Sequence, residues 1–166
     1  MKKIGFTIGK FAPLHKGHEY LIEKALEETD EFYIVIYDTD VTKIPVEARA
    51  KWITDKYKNA KIIYAYNSPK QYGLDNESVR IQMEYLTKQI DGIPVNCFYS
   101  NEPYGEKVAE YLHIENRTVD INKKQVPISA SKIRGNLEDY KTFLEPNVYE
   151  DICHFKNTEK SEPLRK

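Results

Sequence analysis

Apolar positions along the chain switch between two periods almost from the first residue. Ile4-Gly5-Phe6-Thr7-Ile8 is a short β-rich run ended by Gly9. Leu21, Ile22, Ala25 and Leu26 then fall at i, i+1, i+4 and i+5, one face of a helix over about residues 17–28. Residues 32–37 are continuously apolar, the pattern of a strand covered on both faces. Pro45 introduces a second helix over about residues 46–56, with Ala48, Trp52 and Ile53 on one side. A third strand is expected at 62–66, a helix at 76–90, a fourth strand at 95–99, a helix at 106–112 and a short fifth strand at 118–120. Helical signals resume after Ser129 and again over about residues 146–155. The series predicts an α/β fold: a doubly wound parallel sheet of five strands, helices on both faces, right-handed crossovers. In such a sheet the ligand lies beyond the carboxyl ends of the strands, where the strand order reverses.

Composition narrows this picture without redirecting it. The chain has 166 residues, 40% hydrophobic and 31% charged, a globular balance large enough to bury a core. One domain over residues 1–155 is expected, followed by a flexible, charged tail over 156–166. Lys and Arg total 25 against 26 Asp and Glu, so bulk charge does not hold this chain to nucleic acid. Cys97 and Cys153 stand apart, and His113 and His154 fit no ligand spacing with them, so no protein-held metal site is expected. The longest apolar run is too short to cross a bilayer, and Met1-Lys2-Lys3 leads into no hydrophobic segment. Cytoplasmic residence without a membrane partner is the expectation; the oligomeric state stays open.

The chemistry concentrates in two segments. Gly9-Lys10-Phe11-Ala12-Pro13-Leu14-His15-Lys16-Gly17-His18 joins the first strand to the first helix. His15 and His18, three apart at the helix start, can face one point, and Gly17 removes a side chain where phosphates could approach the backbone. The helix N-terminus adds unpaired N–H groups, and two imidazoles could donate to phosphoryl oxygens as charge builds during transfer. A lone histidine would more simply cap the helix or pack; the two histidines and the glycine in this setting favour function. The second segment is Val126-Pro127-Ile128-Ser129-Ala130-Ser131-Lys132-Ile133-Arg134. Ser129 is a natural N-cap, and Ser131 and Arg134 share a helix face where a hydroxyl and a guanidinium could hold distal phosphates. Residues 122–134 hold four basic side chains and no acid, although a capped surface helix would explain the segment nearly as well.

Together these segments resemble the H-x-G-H nucleotidyltransferase family. Ser100-Asn101-Glu102-Pro103-Tyr104-Gly105, Ile44-Pro45 with Arg49 and Trp52, and Val119-Asp120 leading to Val126-Pro127-Ile128-Ser129 look like the nicotinamide mononucleotide (NMN) adenylyltransferase domain of the bacterial bifunctional NAD-biosynthesis and regulatory protein. The resemblance covers about residues 3–155 and implies a Rossmann-like fold and AMP transfer from ATP to NMN, giving NAD and pyrophosphate. It implies His15, His18 and Arg134 as catalytic, and Gly9, Lys10, Phe11, Gly17, Ser129 and Ser131 as nucleotide-binding. Mg²⁺ would be held mainly through ATP. Family members supply a tryptophan for nicotinamide after the third strand; residues 66–85 offer Tyr66, Tyr72 and Tyr85 instead. Tyr72, Asn101 and Glu102 are the expected acceptor contacts, and Trp52 is assigned to packing. Two alternatives stay open: another phosphorylated acceptor of the phosphopantetheine kind, and a nucleotide-sensing module without catalysis. The chain is too short for the tRNA recognition of a class I aminoacyl-tRNA synthetase, and it lacks the cytidylyltransferase form of the second motif.

Overall fold

The computed structural model describes the backbone of residues 1–161 and the side chains of residues 1–156. Five strands, β1 (Ile4–Gly9), β2 (Glu31–Tyr37), β3 (Ala60–Ala65), β4 (Cys97–Ser100) and β5 (Glu115–Thr118), form one sheet in the order β3-β2-β1-β4-β5. Every pairing is parallel. Helices α1 (Lys16–Glu28), α2 (Val46–Lys56), α3 (Asn76–Gln89) and α4 (Gly105–Leu112) make the crossovers. After β5 come α5 (Ala130–Gly135), α6 (Leu137–Tyr140), a 3₁₀ turn (Lys141–Phe143) and α7 (Pro146–Ser161). The order reverses between β1 and β4, which places the switch point at the end of β1.

The continuous apolar run of β2 splits by the two-residue period of a strand. Phe32, Ile34 and Ile36 face a core closed by Leu21 and Ile22 of α1, Ala50 and Ile53 of α2, Ile133 of α5, and Val148 and Ile152 of α7. Val35 and Tyr37 face the other core, with Phe6, Phe98, Met83, Leu86 and Val108. Each fully buried Phe, Ile or Leu contributes on the order of 1.5–3 kcal/mol. Trp52 is buried and its Nε1 donates to Asp151 Oδ2 at 2.7 Å, pinning α2 to α7, in keeping with its assignment to packing.

The bounds of several elements shift. The fifth strand lies at Glu115–Thr118 rather than 118–120; Glu-Asn-Arg-Thr has no apolar pattern because β5 is an edge strand whose order comes from pairing with β4. Thr118 pairs with Ser100, and Val119 and Asp120 already belong to the following loop. The third and fourth strands shift by one or two residues, α6 and the 3₁₀ turn had no clear signal, and α7 runs on to Ser161 instead of ending near residue 155. Residues 162–166 of the expected tail lie outside the described residues. Among the described residues no helix is long and apolar enough to cross a membrane.

Candidate active site

A cavity of about 670 Å³ opens at the carboxyl edge of the sheet, over the ends of β1 and β4. Gly9, Lys10, Phe11, His18, Tyr72, Asn101, Glu102, Ser129, Ser131 and Arg134 line it; His15 and Gly17 do not. The expected residues therefore converge from four separate segments, with two exceptions that have a common cause.

That cause is the N-terminus of α1. His15 is its N-cap, and His15 Nδ1 accepts from the backbone N–H of Gly17 at 3.0 Å and of His18 at 3.3 Å. His18 Nδ1 in turn accepts from the His15 backbone N–H at 3.1 Å, so the two residues form a reciprocal capping box built of imidazoles. The rings stack with centroids 3.7 Å apart and 17° between planes. His15 is buried one layer behind the cavity wall, with 6% of its surface exposed. A Cβ on Gly17 would stand 2.8 Å from His15 Cε1 and 3.0 Å from its Nδ1. The glycine thus makes room for an imidazole; the expected clearance for phosphates is not what occupies that space.

The box also fixes protonation. A ring nitrogen that accepts from a backbone N–H carries no proton, so both imidazoles bear their hydrogen on Nε2. Burial, reinforced by the nearby Lys123 ammonium, pushes His15 down to about 4. Burial, then the His15 ring and Lys123, holds His18 well below the usual histidine range. Both are neutral at pH 7, and His18 offers the cavity a single donor, Nε2–H.

Two cations also line the cavity, Lys10 and Arg134. Arg134 Nη1 donates to Ala12 O at 2.6 Å, tying α5 to the β1–α1 loop. Lys10 Nζ lies 4.5 Å from the centre of the Tyr72 ring. Burial, and then the charges of Arg134 and Lys70, depress the Lys10 pKa, the mark of an ammonium held among other cations. Neither Lys10 nor Arg134 has an ion-pair partner among the described residues. The Ser129 and Ser131 hydroxyls are 3.2 Å apart beside them, and Ser129 caps α5 by accepting from Lys132 N. On the β4 side, Asn101 Oδ1 accepts from Asp120 N at 2.6 Å and Glu102 pairs with Lys123 at 3.3 Å. Burial raises the Asp120 carboxyl, but N–H donors from Val126, Gln125 and Lys124 outweigh it and hold the group ionised. That carboxylate shapes the turn leading to Ser129.

Arg49 of α2 is a buried residue whose part in the site the motifs did not disclose. With 1% of its surface exposed, it donates through Nε to Ile44 O at 3.0 Å and through Nη1 to Tyr37 O at 3.1 Å and to Lys10 O. It fastens the β1–α1 loop to the end of β2. The available signal was an arginine on the apolar side of a helix, between Ala48, Ala50 and Trp52. Tyr66 and Tyr85, the other tyrosines considered for stacking, do not line the cavity: Tyr66 Oη donates to Glu47 and Tyr85 Oη to Tyr66 O. Among the described residues no three His, Cys, Asp or Glu side chains gather into a metal site.

The sheet order, the cavity at its switch point and the loop–helix pair that walls it define a Rossmann-like α/β protein with a ligand cavity at the carboxyl edge of its sheet. Residues 5–120 match the model of the citrate lyase ligase C-terminal domain, and the chain belongs to that family. It is similar to the trifunctional NAD biosynthesis/regulator protein NadR of Salmonella typhimurium, 32% identical over 165 residues, covering 89% of this chain and 40% of the relative. It thus spans about two fifths of that protein's length. It is 26% identical over 139 residues to the nicotinamide-nucleotide adenylyltransferase of Halorubrum lacusprofundi, covering 80% of this chain and 74% of the relative. A crystal structure of NadR in complex with NAD and AMP-PNP superposes with a TM-score of 0.62 at 22% identity, covering 86% of this chain and 44% of that one.

Proposed function

We propose that this chain is an adenylyltransferase that moves AMP from ATP to nicotinamide mononucleotide, giving NAD and pyrophosphate. The observation that carries the reading is the convergence, in one cavity, of Lys10 and Arg134, neither in an ion pair among the described residues, with a neutral His18 locked into its Nε2–H form. Such a wall attracts a polyphosphate and supplies donors to its oxygens. The similarity to a nicotinamide-nucleotide adenylyltransferase and to NadR supports the acceptor.

A phosphate oxygen of the acceptor attacks the α-phosphorus of ATP; the new P–O bond forms as the bond from Pα to the bridging oxygen breaks, and pyrophosphate departs with that electron pair. No side chain is covalently involved. His18 Nε2–H donates to an α-phosphate oxygen, a bond that strengthens as charge builds there. Arg134, Ser131 and Lys10 hold the departing phosphates, so the protein acts by positioning and charge stabilisation. Mg²⁺, when bound through the nucleotide, would neutralise part of the polyphosphate charge; the donors present on the protein are cations and hydroxyls suited to the phosphates rather than to the metal. Tyr72 supplies an aromatic face for the pyridinium ring, a contact worth ~0.5–2 kcal/mol.

The test is a panel of NMN, nicotinate mononucleotide and phosphopantetheine with ATP and Mg²⁺, followed by product mass and pyrophosphate release. A dinucleotide from NMN supports the reading. A product from phosphopantetheine alone moves the acceptor to that class, and ATP binding without any product makes the chain a sensing module.

A further inference from the structure

Gln82 of α3 lines the cavity on the same side as Tyr72, and nothing in the site described so far uses it. Its Nε2 donates to Pro69 O at 3.1 Å and to Gln71 O at 2.8 Å. Two carbonyl partners determine which end of the amide is nitrogen, because the flipped amide would set three oxygens against one another. Both amide hydrogens are thereby committed to the β3–α3 loop. The side chain keeps one hydrogen-bonding atom, Oε1, and that atom can only accept.

We infer that Gln82 is a specificity-determining residue that selects a pyridine nucleotide bearing a neutral carboxamide over one bearing a carboxylate. The inference rests on the proposed acceptor and adds to it a criterion for the ring substituent. A carboxamide brings an NH₂ to an acceptor; a carboxylate brings two more acceptors and a negative charge. Leaving a polar group of a binding site unpaired, or facing an oxygen with a like partner, is where discrimination is largest. The same two bonds hold the backbone on either side of Lys70, next to Tyr72. The proposed stacking face and the proposed selecting oxygen are thus set by one side chain. Lys10, over the Tyr72 ring, and Lys107, on the α4 wall of the cavity, are the cations that a carboxylate would otherwise seek, and of the two Lys107 has no part in holding the phosphates. The discrimination is therefore measured with Lys107 both present and replaced.

The experiment compares kcat/KM for NMN and for nicotinate mononucleotide in the wild-type chain, Gln82→Lys, Gln82→Met and Lys107→Met. The wild type should favour the amide by at least ~10-fold, in line with the cost of one unpaired polar contact. Gln82→Lys keeps donors for the Pro69 and Gln71 carbonyls but replaces the acceptor by a cation, so the amide-to-acid ratio should fall at least ~10-fold. Gln82→Met, which removes donors and acceptor together, should also lower the ratio, while Lys107→Met should leave the amide preference in place or increase it. A merely structural Gln82 would lower both substrates alike and leave the ratio unmoved. A wild-type preference for the acid, or ratios in Gln82→Lys and Gln82→Met within twofold of wild type, overturns the inference while adenylyl transfer to pyridine nucleotides stands. No product from either mononucleotide overturns the acceptor and this inference together.

Discussion

Replacing Gly17 with alanine separates two explanations of the same glycine. The ideal Cβ would sit 2.8 Å from His15 Cε1 and 3.0 Å from Nδ1, where carbon contacts settle near ~3.5–4.0 Å. The imidazole is buried and stacked on His18, so relief requires the His15 ring to leave its place or α1 to shift. Displacing the ring removes the cap on the Gly17 and His18 N–H groups, about 0.5–2 kcal/mol, and overpacking costs roughly 1–3 kcal/mol. Alanine returns up to about 1 kcal/mol of helix propensity. The net expectation is a loss on the order of 1–3 kcal/mol, or about 3–10 °C in Tm for a chain of this size. Because His18 is held by the His15 backbone and ring, kcat should fall as well, and ångström-scale misplacement costs up to ~10²-fold. Thermal unfolding and steady-state kinetics of Gly17→Ala read both. A variant with wild-type Tm and a raised KM for ATP alone would refute the lodged imidazole and restore close phosphate approach as the reason for the glycine.

Three further outcomes are expected. His18→Ala should lower kcat by ~10²–10³-fold with a much smaller change in KM for ATP, as for other donors that strengthen in the transition state; unchanged turnover in the folded variant removes His18 from the mechanism. Arg134→Lys should also be damaging, since one ammonium cannot bond Ala12 O and grip pyrophosphate as a planar fork does; full activity would show that charge alone suffices. For pH, His15 is depressed in the folded chain to about 4 against ~6.5 unfolded, so the unfolded state binds more protons between those values. Its contribution is complete above about pH 6.5 and is lost as pH falls towards 4, on the order of 3 kcal/mol. His15→Asn, which keeps a capping oxygen but does not titrate there, should flatten the pH dependence of unfolding relative to wild type; an unchanged slope contradicts the assignment.

Most of the architecture was legible because it rests on local periodicity. The switch from the continuous apolar run of β2 to the helical spacing of α1 and α2 reports burial directly, and the alternation of elements leaves few topologies. β5 escaped because an edge strand paired on one side needs no apolar face, so Glu115–Thr118 reads as loop. In the site, the two motifs brought His18, Lys10, Ser131 and Arg134 to one cavity. What spacing could not disclose was direction. His15 and His18 are three apart and both rings accept from backbone N–H groups, yet only the His18 ring also reaches the cavity wall. Arg49 was marked only as part of the resemblance, without a role, and Gln82 was not marked at all: their partners are backbone carbonyls, which every residue carries and no spacing singles out.

AMP transfer to NMN is read in a single reaction by incubating the purified chain with α-³²P-labelled ATP, Mg²⁺ and NMN and resolving the products by chromatography. Label should appear in NAD, formed one for one with pyrophosphate and reduced at least ~10²-fold by His18→Ala. Label that stays in ATP, or that transfers to NMN equally well with His18→Ala, would contradict the proposed function.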